Sequence, residues 1–152
     1  MAPSIGMPRQ KLEIGALSAL VGYHLRRASG AFASDFSEAV AGTGMRQVLI
    51  GVLAIVDANP GINQGTVGVR LGIKRANMVA LINELVEREL VRREVASDDR
   101  RAFSLTTTAQ GHAALADSLE RIRLHEAKML ADFSEAERAM LIELLGRIEA
   151  RT

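Results

Sequence analysis

At 152 residues the chain fits one domain, a size that buries roughly two-thirds of the unfolded surface. Hydrophobic residues make up 48% and aromatics 3%, so the core must be built from Leu, Val, Ile, Ala and Met. With no cysteine and a net charge of +1, disulfides, thiolate metal sites and thiol switches are excluded, and bulk charge gives no argument for nucleic acid.

Residues 1–10 hold no long apolar run and read as a frayed N-terminus rather than a signal peptide. No stretch reaches the ~18 apolar residues of a membrane span. A cytoplasmic protein with no membrane partner is expected. Lys11 to Val40 reads as one long helix, with Ile14, Leu17, Leu20, Val21, His24, Leu25, Ala28, Phe32 and Phe36 at helical spacing. So long an apolar stripe asks for a long partner, for which a second copy of the chain is the natural candidate. The glycines of Ala41-Gly42-Thr43-Gly44 end that helix.

Met45 to Ala58 is apolar on nearly every side, which marks a central, buried helix. Asn59-Pro60-Gly61 forces a turn. A short helix follows from Asn63, its N-cap, to Val69. Gly65 and Gly68 each weaken it by about 1 kcal/mol against Ala, so close packing over Gly68 is expected to offset the loss. After the turn at Leu71-Gly72-Ile73, Lys74 to Arg88 forms a longer helix with Met78, Leu81, Ile82 and Leu85 on one side. The period then changes to two. Leu90 to Val95 and Arg101 to Thr107 read as a β-hairpin around Ala96-Ser97-Asp98-Asp99. Thr108 to Ala131 is helical again. Ser134-Glu135-Ala136-Glu137 is a capping-box pattern, with Phe133 placed to staple onto the last helix.

A short helix, a tight turn, a second helix and a hairpin together describe a winged helix-turn-helix. Such a unit lays its second helix in the major groove. The first turn of that helix offers Lys74, Arg75 and Asn77, of which the cations suit phosphate or guanine and Asn suits adenine. Arg100 and Arg101 sit at the end of an extended loop, where an arginine can enter a narrow minor groove. Asp99 would hold one of them in place. Taken singly, these charges also fit a solvated helix face and a surface turn. The flanking turn and hairpin favour the nucleic-acid reading.

Gly22 to Phe32, the helix-turn-helix at 63–88, and Asp99-Arg100-Arg101 followed by Thr107-Thr108-Ala109-Gln110-Gly111 resemble the MarR family of bacterial regulators. The resemblance covers roughly residues 12–150. It implies a mainly α fold with a small β-hairpin wing, a winged helix-turn-helix with N- and C-terminal dimerisation helices. Residues 45–107 would bind DNA, and 11–44 with 108–152 would form the dimerisation region. Two recognition helices would then face successive major grooves of a pseudo-palindrome, about 34 Å apart. By position, Arg101 matches the wing arginine and Asp99 its salt-bridge partner.

The chain departs from the family at three places. Glu89 stands where the family has Gly, and is strained if that position needs positive φ. Thr107 replaces a usual Leu, which predicts looser packing at the wing base. Ala76, Val79 and Ala80 replace polar groups on the recognition helix and would offer contacts to thymine methyls.

The resemblance further implies an effector that releases DNA by preferring another spacing of the recognition helices. An anionic aromatic acid or its coenzyme A thioester is expected. Tyr23, His24 and Arg27 form a polar cluster in which His24 should face inward, and Arg46 is a further ligand candidate. The same residues also read as a core histidine with surface arginines. An enzyme is not expected, nor a cofactor or metal: His24, His112 and His125 lack ligand spacing, and no glycine-rich loop follows a strand. The remaining competitor is a winged-helix protein-interaction module without DNA affinity.

Overall fold

The computed structural model describes residues 13–95 and 103–151. The chain divides into two compact units, residues 1–34 and 35–152.

In the first unit a 3-10 turn, Gly15–Ala19, precedes helix α1, Val21–Val40. The single long helix expected from Lys11 is thus interrupted. Gly15 takes a left-handed φ of 58°, and Leu20 is extended between turn and helix. The Ser18 hydroxyl donates to the Gly15 carbonyl at 2.8 Å, a local bond that competes with regular helix. Ile14, Leu17, Leu20 and Val21 are between 41% and 67% exposed.

The second unit begins with the end of α1. A 3-10 turn at Ala41–Thr43 and a left-handed Gly44 stop that helix, as two glycines there predict. Helix α2, Gln47–Ala58, buries Leu49, Ile50, Val52, Leu53 and Val56. Helix α3, Gln64–Leu71, starts at Asn63, whose Oδ1 accepts from the Thr66 N–H at 2.9 Å. Gly72 then turns the chain at φ 65° into α4, Arg75–Glu87. The tight approach expected over Gly68 is present. A Cβ there would lie 2.8 Å from Met78 Cγ and 3.1 Å from the Ile73 carbonyl, so only glycine lets α3 sit this close to α4.

Strands β1, Val91–Val95, and β2, Phe103–Thr107, pair antiparallel with Val91 opposite Thr107, Arg93 opposite Leu105 and Val95 opposite Phe103. Leu90, expected in the first strand, precedes it. The loop before α3 joins the hairpin: the Leu105 N–H donates to the Ile62 carbonyl at 2.9 Å, and the Gly61 N–H to the Leu105 carbonyl at 2.8 Å. That bridge pins the wing base to the helix-turn-helix. Glu89 has φ 59° and, among the described residues, is the one non-glycine with positive φ. The strain expected at the family's glycine position is therefore present. At Thr107 the hydroxyl is buried with no hydrogen-bond partner among the described residues. It costs stability where a leucine would not.

Helix α5, Ala109–Met129, is capped by Thr108, whose hydroxyl accepts from the Gly111 N–H at 2.9 Å and donates to the Glu89 carbonyl at 2.6 Å. Helix α6, Glu135–Glu149, carries the expected capping box at Ser134 and Glu137. Phe133 beside it remains 44% exposed. One aliphatic core joins α2, α3, α4, the wing base and the first half of α5, with Leu49, Leu53, Met78, Ile82, Leu85 and Leu105 fully buried. Among the described residues no single helix is long and apolar enough to cross a membrane.

Candidate nucleic-acid interface

Burial of Met78, Leu81, Ile82 and Leu85 against the core dictates which side of α4 faces out. At 100° per residue, Ala76, Ala80, Asn83 and Glu87 form the middle of the outward face, with Arg75 and Asn77 on its two flanks. All six are exposed. Lys74 is the N-cap, exposed, and its carbonyl accepts from the Asn77 N–H at 3.0 Å. The expected set Lys74, Arg75 and Asn77 therefore clusters at one exposed helix end. Val79 stands 38% exposed beside it, and Ala76, Val79 and Ala80 give the face its small or apolar centre.

Asn83 was not among the expected residues, although it lies closer to the middle of the face than Asn77. Its offset of seven from Ala76 and three from Ala80 is the signal that would have found it. A groove of about 440 Å³ borders this face, lined by Asn63, Gln64 and Gly65 at the start of α3, by Arg75 and Met78 of α4, and by Phe103 of the wing. One arginine and two amide side chains thus share the lining of this opening with the apolar Val69, Ile73, Met78 and Phe103. The wing-tip residues Asp99, Arg100 and Arg101 lie outside the described residues.

The expected effector residues belong to different units of the chain. In the first unit the Tyr23 and His24 rings meet edge to face at 5.3 Å, and the Arg27 guanidinium sits 5.9 Å from the Tyr23 centroid. His24 is exposed, not inward as its stripe position predicts. Helical spacing names a face, not what covers it. Its Nε2 bonds the Ser18 carbonyl at 3.0 Å, so the interrupted start of α1 gives the ring its partner. Arg46, in the second unit, stands at the N-cap position of α2 without a side-chain cap bond and pairs with Glu84 of α4. Glu84 also takes Arg88 at 3.8 Å, and Arg88 donates to the Gly44 carbonyl at 3.1 Å.

A second groove, of about 390 Å³, lies between the end of α1 and α5. Arg121, His125 and Lys128 line it from α5, at helical offsets of four and seven, opposite Asp35, Glu38 and Ala39. Lys128 pairs with Asp35 at 3.1 Å and Arg121 with Asp117 at 3.2 Å. His125 is buried, edge-on to Phe36 at 6.1 Å. The expected ligand set did not include these three residues. Their shared face was legible, but the acids facing them come from a segment remote in sequence.

Comparison with known proteins agrees with this architecture. Residues 48–102 match the MarR family. A proposed transcriptional regulatory protein for the hcr operon of Thauera aromatica is 33% identical over 135 residues, covering 88% of this chain and 81% of that one. The structure of the transcriptional repressor CouR bound to a 23-mer DNA duplex is 35% identical, covers 91% of this chain and 99% of its own, and superposes with a TM-score of 0.86. CouR bound to p-coumaroyl-CoA is 34% identical over 91% of this chain and 98% of its own, with a TM-score of 0.77. An exposed, cation-flanked second helix, a wing pinned to the helix-turn-helix and these likenesses along most of the length lead to one assignment: the chain belongs to the MarR family of transcription regulators.

Proposed function

We propose that this regulator is a homodimeric repressor that binds pseudo-palindromic duplex DNA and leaves it on taking up an anionic aromatic compound or its coenzyme A thioester. The observation that carries the DNA reading is the exposed end of α4, where Lys74, Arg75 and Asn77 stand free of the core beside Ala76, Val79 and Ala80. Lysine and arginine there neutralise phosphates, which positions the helix; the asparagines and small side chains meet base edges. Residues 45–107 would carry this contact, with Arg100 and Arg101 reaching the minor groove and Asp99 steadying the wing. CouR, a relative at 35% identity, has been seen on a DNA duplex.

Dimerisation falls to residues 11–44 and 108–152. Support comes from the exposed apolar side chains Ile14, Leu17, Leu20 and Val21 and, on α6, Met140, Leu141, Ile142, Leu144 and Ile148. For the effector, the α1–α5 groove offers Arg121, His125 and Lys128 to an anion, and Tyr23, His24, Arg27 and Arg46 are the further candidates. The relative CouR has been seen with p-coumaroyl-CoA.

The test is selection from a random duplex pool, then fluorescence anisotropy on the selected site at several salt concentrations, with p-coumaroyl-CoA as effector probe. A pseudo-palindrome bound with affinity that falls steeply with salt is expected. Arg75→Ala is expected to weaken binding and to reduce the salt slope by about one unit. Binding to DNA without a salt slope, or no selected site, would favour the protein-interaction module.

A further inference from the structure

Asn83 shares the outward line of α4 with Ala76 and Ala80. An asparagine reaches only a short way, so it meets a base edge only where its helix lies deep in the groove. Ala80 and Ala76, one and two turns before it on that line, permit that depth, with Glu87 one turn beyond. What sets Asn83 apart is its partner. Arg93 of β1 lies opposite Leu105, on the side of the hairpin that buries Val91 and Leu105 against the helices. From there Arg93 Nη2 donates to Asn83 Oδ1 at 2.6 Å, while its guanidinium stands 5.4 Å from the Phe103 ring centroid.

A guanidinium has donors only, so the amide atom it meets must be the oxygen. The bond is charge-assisted and short, and stacking on Phe103 narrows the arginine's own freedom. The carboxamide is therefore held in one orientation before any DNA arrives.

We infer that Arg93 is a positioning residue that makes Asn83 a base reader presenting its amide nitrogen, a reading that rests on the DNA binding proposed above. With Oδ1 drawn toward the wing, the two Nδ2 hydrogens are what α4 offers the major groove at this point. Donors favour the acceptor edges of guanine, N7 and O6, and of thymine, O4, and disfavour the N4 donor of cytosine. The wing thus takes part in major-groove readout from behind, through a side chain that touches no base.

The test is the affinity of every single-base variant of the selected site, measured for the unaltered protein, Asn83→Ala, Asn83→Asp and Arg93→Met. In the unaltered protein one position per half-site is expected to prefer guanine or thymine over cytosine by roughly three- to tenfold, the worth of one hydrogen bond. Asn83→Ala flattens that position alone. Arg93→Met keeps an apolar stem on Phe103 but releases the amide, and flattens the same position. Asn83→Asp keeps the pairing with Arg93 while presenting acceptors only, and reverses the order in favour of cytosine. Should Arg93→Met not fold at the assay temperature, Asn83→Asp decides. Uniform weakening across all sites, or an unchanged profile, would overturn the inference and leave Arg93–Asn83 a structural strut. No selected motif with the unaltered protein would overturn the DNA reading and this inference together.

Discussion

Helices α2 and α6 are both rich in aliphatic residues, yet they meet opposite fates. Among the 12 residues of α2, Leu49, Ile50, Val52, Leu53 and Val56 are buried. Across the 15 residues of α6 every side chain is exposed or half-buried, including Met140, Leu141, Leu144 and Ile148. The end of α6 nearest the fold is tied by polar bonds: the Arg138 guanidinium donates to the Leu130 carbonyl at 2.7 Å, and Ser134 closes the cap. The core helix is stabilised by its own chain, whereas α6 is finished as a helix but not covered. Polar capping sets where a helix begins; burial decides whether it stays, and the described residues leave α6 uncovered.

The packed side of this comparison breaks most sharply at Gly111. This residue lies in the first turn of α5, where the helix crosses the wing base. A Cβ there would stand 2.0 Å from the Leu90 carbonyl and 2.8 Å from Thr107 Cγ2. Leu90 cannot retreat, because its carbonyl already accepts the Thr108 N–H at 3.1 Å and its side chain is buried. Gly111→Ala is expected to cost about 3 kcal/mol or more, read from urea unfolding. A loss below about 1 kcal/mol would mean that α5 can slide over the wing base, and the packed region would be softer than its burial implies.

Leucines of the two helices sharpen the contrast. Leu53 is fully buried, and Leu53→Ala is expected to cost about 2–5 kcal/mol through lost contacts and the cavity left behind. Leu144 is 44% exposed. Leu144→Ala is expected to leave the unfolding free energy of dilute monomer within about 1 kcal/mol, as surface changes do. Leu144→Glu should instead raise the dimer dissociation constant tenfold or more, a change of about 1.4 kcal/mol, seen by sedimentation equilibrium. A dimer indifferent to Leu144→Glu would remove this part of α6 from the interface.

How far the sequence foretold this arrangement depends on the range of the interactions involved. The helix-turn-helix was legible because its signals are local: Asn63 caps three residues ahead, Gly68 marks a close approach, and 78, 81, 82 and 85 define a face. Glu89 was legible through its place in the family pattern, and its φ of 59° agrees. The start of α1 was not legible, since Ile14, Leu17 and Leu20 fit a helix while Gly15 and Ser18 close a 3-10 turn. Arg46 was legible as a candidate cation, but its pairing with Glu84, 38 residues away, was not. The place of Asn83 on the outward face was legible from its spacing, but its partner Arg93 arrives only once the hairpin register is known.

The smallest effect belongs to the cap of α6. Ser134 Oγ accepts from the Glu137 N–H at 3.3 Å, and Glu137 Oε2 accepts from the Ser134 N–H and hydroxyl, each at 2.8 Å. The backbone bond from Ser134 first, and its hydroxyl second, hold the Glu137 carboxyl below its ordinary value of 4.5. A carboxyl lowered by folding stabilises the folded state above the ordinary value, and that contribution is lost as pH falls through the lowered one. Ser134→Ala is expected to cost about 1 kcal/mol near neutral pH. Measured by urea unfolding from neutral pH down to about pH 3, below the ordinary glutamate value, the difference between the unaltered protein and Ser134→Ala should shrink toward the acid end. A difference that stays constant across that range would assign the cap to the serine hydroxyl alone, with the Glu137 charge taking no part. In that case α6 would hold its N-terminus equally well in acid.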